Sequence, residues 1–477
     1  MPAFRLTIVA AALLVPAVLA AQGEGTPTRC NAINTDSTRE VDIKLPSNQY
    51  NSFFGGGVYV KCPSKNIVLR ADSAEQYGDE RRIYLVGHVL YQEPRLTLHS
   101  DFLNYYTADE RVVATGNVDA TMPNGSRLVG PNATYLRAIP KRRPLATVSA
   151  DGRPTITLIQ LDSLGKPQLP MQVVANTVFM DGDSLVYAGG KVDITRQEFT
   201  AHGDSMFLDG QKEIMHLMHD PKIVGRKGNK PFTLVGTLID LYSQQRKLRR
   251  VLARGAAVAT SEDLRLRSDT IDMRLTNDEL QRTMAWGPHR AGAKSPTDSL
   301  LADSLDVIMP NQRAREIHAI GKAYAESKPD TVKFRTKEMD WMRGDTILAI
   351  FDTMPPQDTS QGPRIRQLIA IDSGAAYYNM APKDTSLCAP TVSYSRGHRI
   401  VVSFGDKGVE TVDVVGQTLG MLDEPKLDSA TTIACGKPFP KPPSTKKQAD
   451  TTATAPHKGR GGDHPRPITY STSIRRP

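Results

Sequence analysis

The sequence holds few of the residues that usually announce chemistry. Its four cysteines are Cys30, Cys62, Cys388 and Cys435, and no two share a Cys-x-x-Cys spacing. That argues against a zinc knuckle or a dithiol redox motif. No apolar run after residue 21 reaches the roughly 20 residues that a spanning helix needs. Long helices are disfavoured too, because 36 glycines and 33 prolines interrupt the chain. Charge is scarce where it would matter. Of a net +9, residues 436–477 hold nine Lys/Arg against two Asp, and Arg5 adds one more, which leaves +1 for everything between. A surface built to neutralise phosphates would be far more basic, so no nucleic acid is expected as a partner.

What remains is a chain of 477 residues, 39% hydrophobic and 23% charged, with a mean hydropathy of −0.36. It is too polar for a multi-span membrane protein, too apolar for a disordered one, and long enough for a large core. Residues 1–20 combine Arg5, an apolar run from Leu6 to Leu19, and small residues at Val18 and Ala20. They read as a secretory signal cleaved after Ala20, with a retained anchor as the alternative. Export would place the cysteines in an oxidising compartment. Three pairings are open, and the parsimonious one joins Cys30 to Cys62 and Cys388 to Cys435. Residues 436–477, rich in Pro, Lys and Thr, read as a disordered basic tail; contact with an anionic surface is a second reading.

The strongest signal is internal repetition. A turn-like element recurs with its middle residue at Asp72, Asp101, Asn132, Asn176, Asp204, Thr237, Asp269, Asp303 and Lys337. This predicts about nine repeats of roughly thirty residues between about residues 65 and 350. Apolar–polar alternation flanks each element, with Arg127 and Asp298 as exceptions, which means half-buried strands. The expected inward positions are Ile67, Leu69, Ile83, Leu85, Val89, Tyr91, Leu96, Leu98, Leu103, Val173, Val178, Phe199, Met206, Phe232, Leu234, Leu264, Leu266, Ile271, Phe334 and Trp341. The parity changes across each element, so a corner or bulge is expected there, where Asp, Asn and Gly tolerate the backbone angles. A Gly-x-Val-like element, as at Gly87, Gly116 and Gly190, falls about half a repeat later. The pattern therefore predicts a stacked all-β body with a continuous interior.

Three stretches carry a family likeness: Ile67 to Asp72, Ile83 to Tyr91 around Gly87, and Leu96 to Tyr105 around Asp101. So do Gly152-Arg153-Pro154-Thr155-Ile156, Gly165-Lys166-Pro167, Val173 to Val192 and Gly203-Asp204. Together they resemble the LptA/OstA family of periplasmic lipopolysaccharide-transport proteins, whose domain also opens LptD. The detailed likeness covers residues 65–220 and continues more loosely over 221–350. It leaves 21–64 as an N-terminal segment and 351–435 as terminal strands or cap. The resemblance implies an elongated antiparallel β-jellyroll, or open β-solenoid, whose apolar trough holds the acyl chains of lipopolysaccharide or a related lipid. It also implies LptC-like inner-membrane and LptD-like outer-membrane jellyroll partners, head-to-tail self-association, a periplasmic location, and no cofactor. The chain departs from the family in its length. It also lacks room for the translocon's barrel, since only 136 residues follow Trp341. Nine repeats of two strand spacings would span on the order of 85 Å.

Such a trough needs no bond-making. Each methylene exposed to water costs about 0.8 kcal/mol, so a chain of about twelve carbons costs on the order of 10 kcal/mol, which apolar walls offset. The same alternation would equally fill a closed core, which makes a structural β-solenoid of the cell envelope the alternative. Enzyme readings are weak. His216 and His219 lie three apart, which on a strand puts them on opposite faces. Gly55-Gly56-Gly57 lacks the Lys-Ser/Thr and helix of a phosphate loop. Arg343-Gly344-Asp345, an adhesion tripeptide, and Ser205 beside Asp204 are explained by chance and by the corner. No catalytic constellation and no metal site are expected.

Overall fold

The computed structural model describes residues 30–424. Excepted are 34–37, 160, 162–164, 168, 226–231, 246, 262–263, 278, 311–312, 330–335, 353–363, 381, 383–388, 406–407 and 418. The expected signal segment, Phe334, the expected Cys388–Cys435 pair and the basic C-terminal residues 436–477 lie outside the described residues. The chain forms two units, residues 1–435 and 436–477, and every described residue belongs to the first.

Alternation at period two builds strands, and the described residues hold 28 of them in one antiparallel sheet. A 3-10 turn lies at Pro63–Lys65, and no α-helix is present among the described residues. Most strands pair with their sequence neighbours, as Ile67–Tyr77 does with Arg82–Glu93 and that strand with Leu96–Tyr106. Six pairs of short strands are halves of a single crossing. Thr147–Asp151 and Thr155–Leu158, for example, both pair with Arg127–Leu136. The 28 strands therefore make 22 rungs, which at ~4.8 Å each run for roughly 100 Å.

Each rung bends at its middle. In Arg82–Glu93 the pairing register shifts between Val86 and Val89, where Gly87 and His88 take φ of 77° and 45°. Two left-handed residues turn the strand without changing its parity, so Ile83 and Leu85 before the bend and Val89 and Tyr91 after it all point inward. In the next rung the inward parity changes across Asp101, from Leu98 to Leu103. From Gly87 to Gly321 rungs bent at Asp, Asn or Thr mostly alternate with rungs bent at Gly-x, His219-Asp220 taking one Gly-x place, and consecutive bends stack. The Asp72 carboxylate lies against Gly87 and meets His88 Nδ1 at 2.8 Å. The thirty-residue repeat is thus two rungs, folded into two half-sheets that face each other across the interior.

The structure corrects the phase of the last repeat. Thr336-Lys337-Glu338 precede the strand Asp340–Phe351, and its bend falls at Gly344-Asp345, within the Arg343–Thr346 register shift. Rungs also extend past the expected limits. Gly56 and Gly57 (φ 81° and 96°) form the bend of Tyr50–Cys62, and Ile365–Met380 and Thr391–Gly405 continue the stack. The 22 rungs amount to eleven two-rung units where nine were expected. At the N-terminal end, a Cys30–Cys62 disulfide ties the first strand, Asn31–Ile33, to its neighbour.

Candidate functional site: the inner face and its seam

Sixteen of the twenty expected inward residues are buried: Ile67, Leu69, Ile83, Leu85, Val89, Tyr91, Leu96, Leu98, Leu103, Val173, Val178, Phe199, Met206, Leu234, Leu266 and Ile271. Phe232 and Leu264 are half-buried against the same core. Trp341 is not inward. Shifting the last bend moves Met342 to the inner face, fully buried, and turns Trp341 outward between Tyr324 and Tyr377, at ring distances of 6.5 and 6.2 Å. Alanines that carried little weight in the sequence complete the later rungs, among them Ala285, Ala302 and Ala319.

The interior is two packed clusters rather than one. The first runs from Phe54 to Ala150 and the second from Ile156 to Val402, and half-buried Val148 touches both. They differ in character. The first centres on Tyr91, Tyr105 and Tyr135, with the Tyr91 ring edge-on to the other two at 6.1 and 6.4 Å. The second contains Met171, Met180, Met206, Met215, Met273 and Met342 and many alanines.

Opposite the bends, the strand ends of the two half-sheets meet along a seam, and its chemistry changes with the core. Along the first cluster it is polar. Glu93, on one half-sheet, accepts from Tyr135 and from Arg137 Nε on the other. Arg137 also bonds Glu110 Oε2 (3.2 Å) and the Lys65 carbonyl (3.3 Å), and Tyr105 donates to Glu110 at 2.8 Å. Arg143 braces the cluster by donating to the Arg137 carbonyl at 2.6 Å. The carboxylates are almost wholly buried, with side-chain exposures of 2% for Glu93 and 8% for Glu110. Burial, then the Glu93 charge, push the Tyr91 hydroxyl far above the ordinary phenol range, so it stays protonated. Burial opposes the charge on Arg137, but Glu93 more than compensates and holds the guanidinium ionised.

Along the second cluster the described side chains at the seam are mostly apolar. Leu158, Met171 and Phe199 face Leu208, Met215 and Leu241 around a cavity of about 40 Å³, with Arg196 and Glu213 at its rim. The sequence pattern missed the polar cluster, although Glu93 was within reach. It falls two residues past Tyr91, so parity puts a charge on the inner face.

The outer face has its own features. Tyr187 stacks on Phe207 at 4.7 Å and Phe207 on His216 at 5.8 Å; Phe179, Tyr187 and Phe207 wall an open groove of about 720 Å³. His216 Nδ1 meets buried Asp240 at 2.6 Å, and His219 sits in a bend beside Ser205 at 3.1 Å, so the two histidines do not converge. Among the described residues no group of three His, Cys, Asp or Glu could hold a metal ion, and no helix is long and apolar enough to cross a membrane. No family model and no curated protein matches the chain.

Proposed function

We propose that this chain is a periplasmic lipopolysaccharide-binding transport protein, a non-catalytic segment of the lipid path from inner to outer membrane. The observation that carries the reading is the apolar inner face, continued rung after rung from Ile156 to Val402. Hydrocarbon held there would be shielded from water without any bond being made, at a gain of about 0.8 kcal/mol per methylene.

The ends of the stack support it. Arg39–Lys44 is exposed along its whole length and bears Val41 and Ile43, and Leu419–Asp423 is equally exposed with Leu419, Met421 and Leu422. Each pairs with one neighbour among the described residues, leaving an edge on which a like jellyroll strand could add. LptC-like and LptD-like domains, or a second copy, are the partners this chemistry suits.

The alternative, a structural β-solenoid without cargo, draws on a different observation: the inner side chains already pack against one another. Site-specific photo-crosslinking to lipopolysaccharide separates the two. A crosslinker at inward Leu266 is expected to capture lipid and one at outward Arg265 is not; capture at neither, or at both alike, rejects the carrier.

A further inference from the structure

On the outer face, one position of each rung falls into a row from strand to strand. Ser149 pairs with Phe179, Phe179 with Tyr187, Tyr187 with Phe207 and Phe207 with His216. The last four are rings in contact, at 5.9 Å, 4.7 Å and 5.8 Å in turn. One end of this file is fixed, because His216 is held by buried Asp240 at 2.6 Å. The other end stops at Phe179, since the next position in the row is Ser149, whose side chain is too small to cover a ring. Phe179 and Tyr187 are accordingly 41% and 42% exposed. Neighbouring exposed rings, unlike scattered ones, mark a contact surface.

The groove beside the file shows what kind of contact suits it. Phe179, Tyr187 and Phe207 form one wall. Two residues along the same strands, roughly 7 Å away, Asp151, Thr177 and Ser205 form the opposite rim, and Gly189 between them carries no side chain. Asn132 donates to Asp151 Oδ1 at 2.9 Å and so positions that carboxylate. Rings therefore face hydroxyls and a carboxylate across about 720 Å³ of open space.

These features discriminate among occupants. No Lys or Arg lines the groove, so a phosphate or carboxylate ligand would find no counter-charge there and would meet Asp151 instead. A peptide cannot enter by strand addition, because every strand under the groove is already paired on both sides. An alkyl chain would gain the rings but would desolvate the rim hydroxyls without bonding them. A neutral sugar meets both demands. In a gluco-configured pyranose the hydroxyls are equatorial, which leaves an unbroken C–H face for the electron-rich face of a ring and sends the hydroxyls outward to polar groups.

We propose that this groove binds a neutral, gluco-configured saccharide, with one pyranose ring seated over Ser149 as the next plate against Phe179 and its hydroxyls bonded by Asp151 and Thr177. The site uses nothing of the inner face, so it stands apart from the lipid-carrier reading, which crosslinking at Leu266 decides separately.

The test titrates the full chain with cellotetraose and chitotetraose, neutral chains of such rings, followed by saturation-transfer NMR and calorimetry. At least one is expected to bind, with saturation strongest at the sugar's ring C–H protons. Ser149→Trp sets an indole in the open place at the end of the file, on an exposed strand position that accepts it, and Phe179→Ala removes the platform. Each is expected to weaken binding about fivefold or more with the thermal transition retained. Tyr84→Ala, which removes an outer-face ring stacked on Phe102 outside the groove, is expected to leave binding unchanged. Binding of neither sugar overturns the proposal, even where decaproline or palmitate occupies the groove instead. Sugar binding that survives both groove variants, or that Tyr84→Ala weakens equally, overturns it as well.

Discussion

Asn117 donates its side-chain N–H to Asp101 Oδ2 over 2.8 Å, and the residue before it, Gly116, lies directly under the same carboxylate. A Cβ at Gly116 would stand 2.5 Å from that oxygen, and the backbone there has φ of 76°. Both facts bear on one substitution. Gly116→Ala is expected to destabilise the fold by about 1–3 kcal/mol, from left-handed strain and the displaced carboxylate together. In an Asp101→Ala background the carboxylate is gone and only the strain of about 1 kcal/mol should remain. Urea melts of the four variants measure the difference; equal costs in both backgrounds would show that the stacked bend adds nothing.

The seam cluster should show strong coupling. Arg137→Met leaves Glu93 buried and unpaired, for a loss of about 3–5 kcal/mol. Adding Glu93→Gln should recover a large part of that, because the second change removes the stranded charge. A double-mutant cycle read by denaturation checks it, and additive losses would mean that the two side chains stabilise the fold independently.

How far the sequence carried can be judged at these same residues. Strand, bend and inward row were legible around Asp101 and Gly116 because burial imposes a parity that the residues obey. The last bend was misplaced because Thr336-Lys337-Glu338 resembles a bend in spacing alone, while the Gly344-Asp345 bend lies eight residues later behind an irregular stretch. Trp341 was assigned inward for that reason, one residue out of phase, and on a strand one residue is the opposite face. Of the Arg137 cluster only Glu93 was legible, by its parity. Lys65, Glu93, Glu110 and Arg137 come from four separate turns, and only the folding of two half-sheets onto each other brings them together.

The bends titrate at opposite ends of the pH range. At Asp269 the backbone N–H of His289, and then its ring, hold the carboxyl below its usual value. Its stabilising effect is therefore complete above the unfolded carboxylate pKa, near 3.9, and is lost as pH falls through the lower folded value. At His88 the hydrogen bond to Asp72, with its charge, raises the imidazole pKa. That contribution is complete below about pH 6.5 and is lost as pH rises through the folded value above it. Melting curves are expected to show the gap between wild type and His88→Ala narrowing on the alkaline side, and that for Asp269→Ala narrowing only in strong acid.

The disulfide staples an end rather than the body. Cys30 and Cys62 are 32 residues apart and join Asn31–Ile33 to the strand that carries Tyr59–Lys61. Closing a loop of that length contributes about 3–4 kcal/mol in the chain-entropy account. Because rungs contact mainly their neighbours, the loss in Cys30→Ser should stay local. Hydrogen exchange at Ala32 and Val60 is expected to accelerate while Leu98 and Leu266 keep their protection; acceleration at all four would mean that the stack unfolds as one unit.

The sequence has two tryptophans, and both lie on the outer face. Trp286 is 39% exposed, and Trp341 lies under Arg343 on the side of its strand opposite Met342. A cargo chain against the inner face is separated from both rings by the sheet itself. Brominated fatty acid, which quenches tryptophan only at close range, is therefore expected to leave native emission unchanged, while acrylamide in water quenches it. Phe199→Trp places a third indole at the mostly apolar seam, and there the brominated chain should quench. Quenching of the native tryptophans instead would put the lipid on the outer surface. The inward alternation would then be an ordinary packed core.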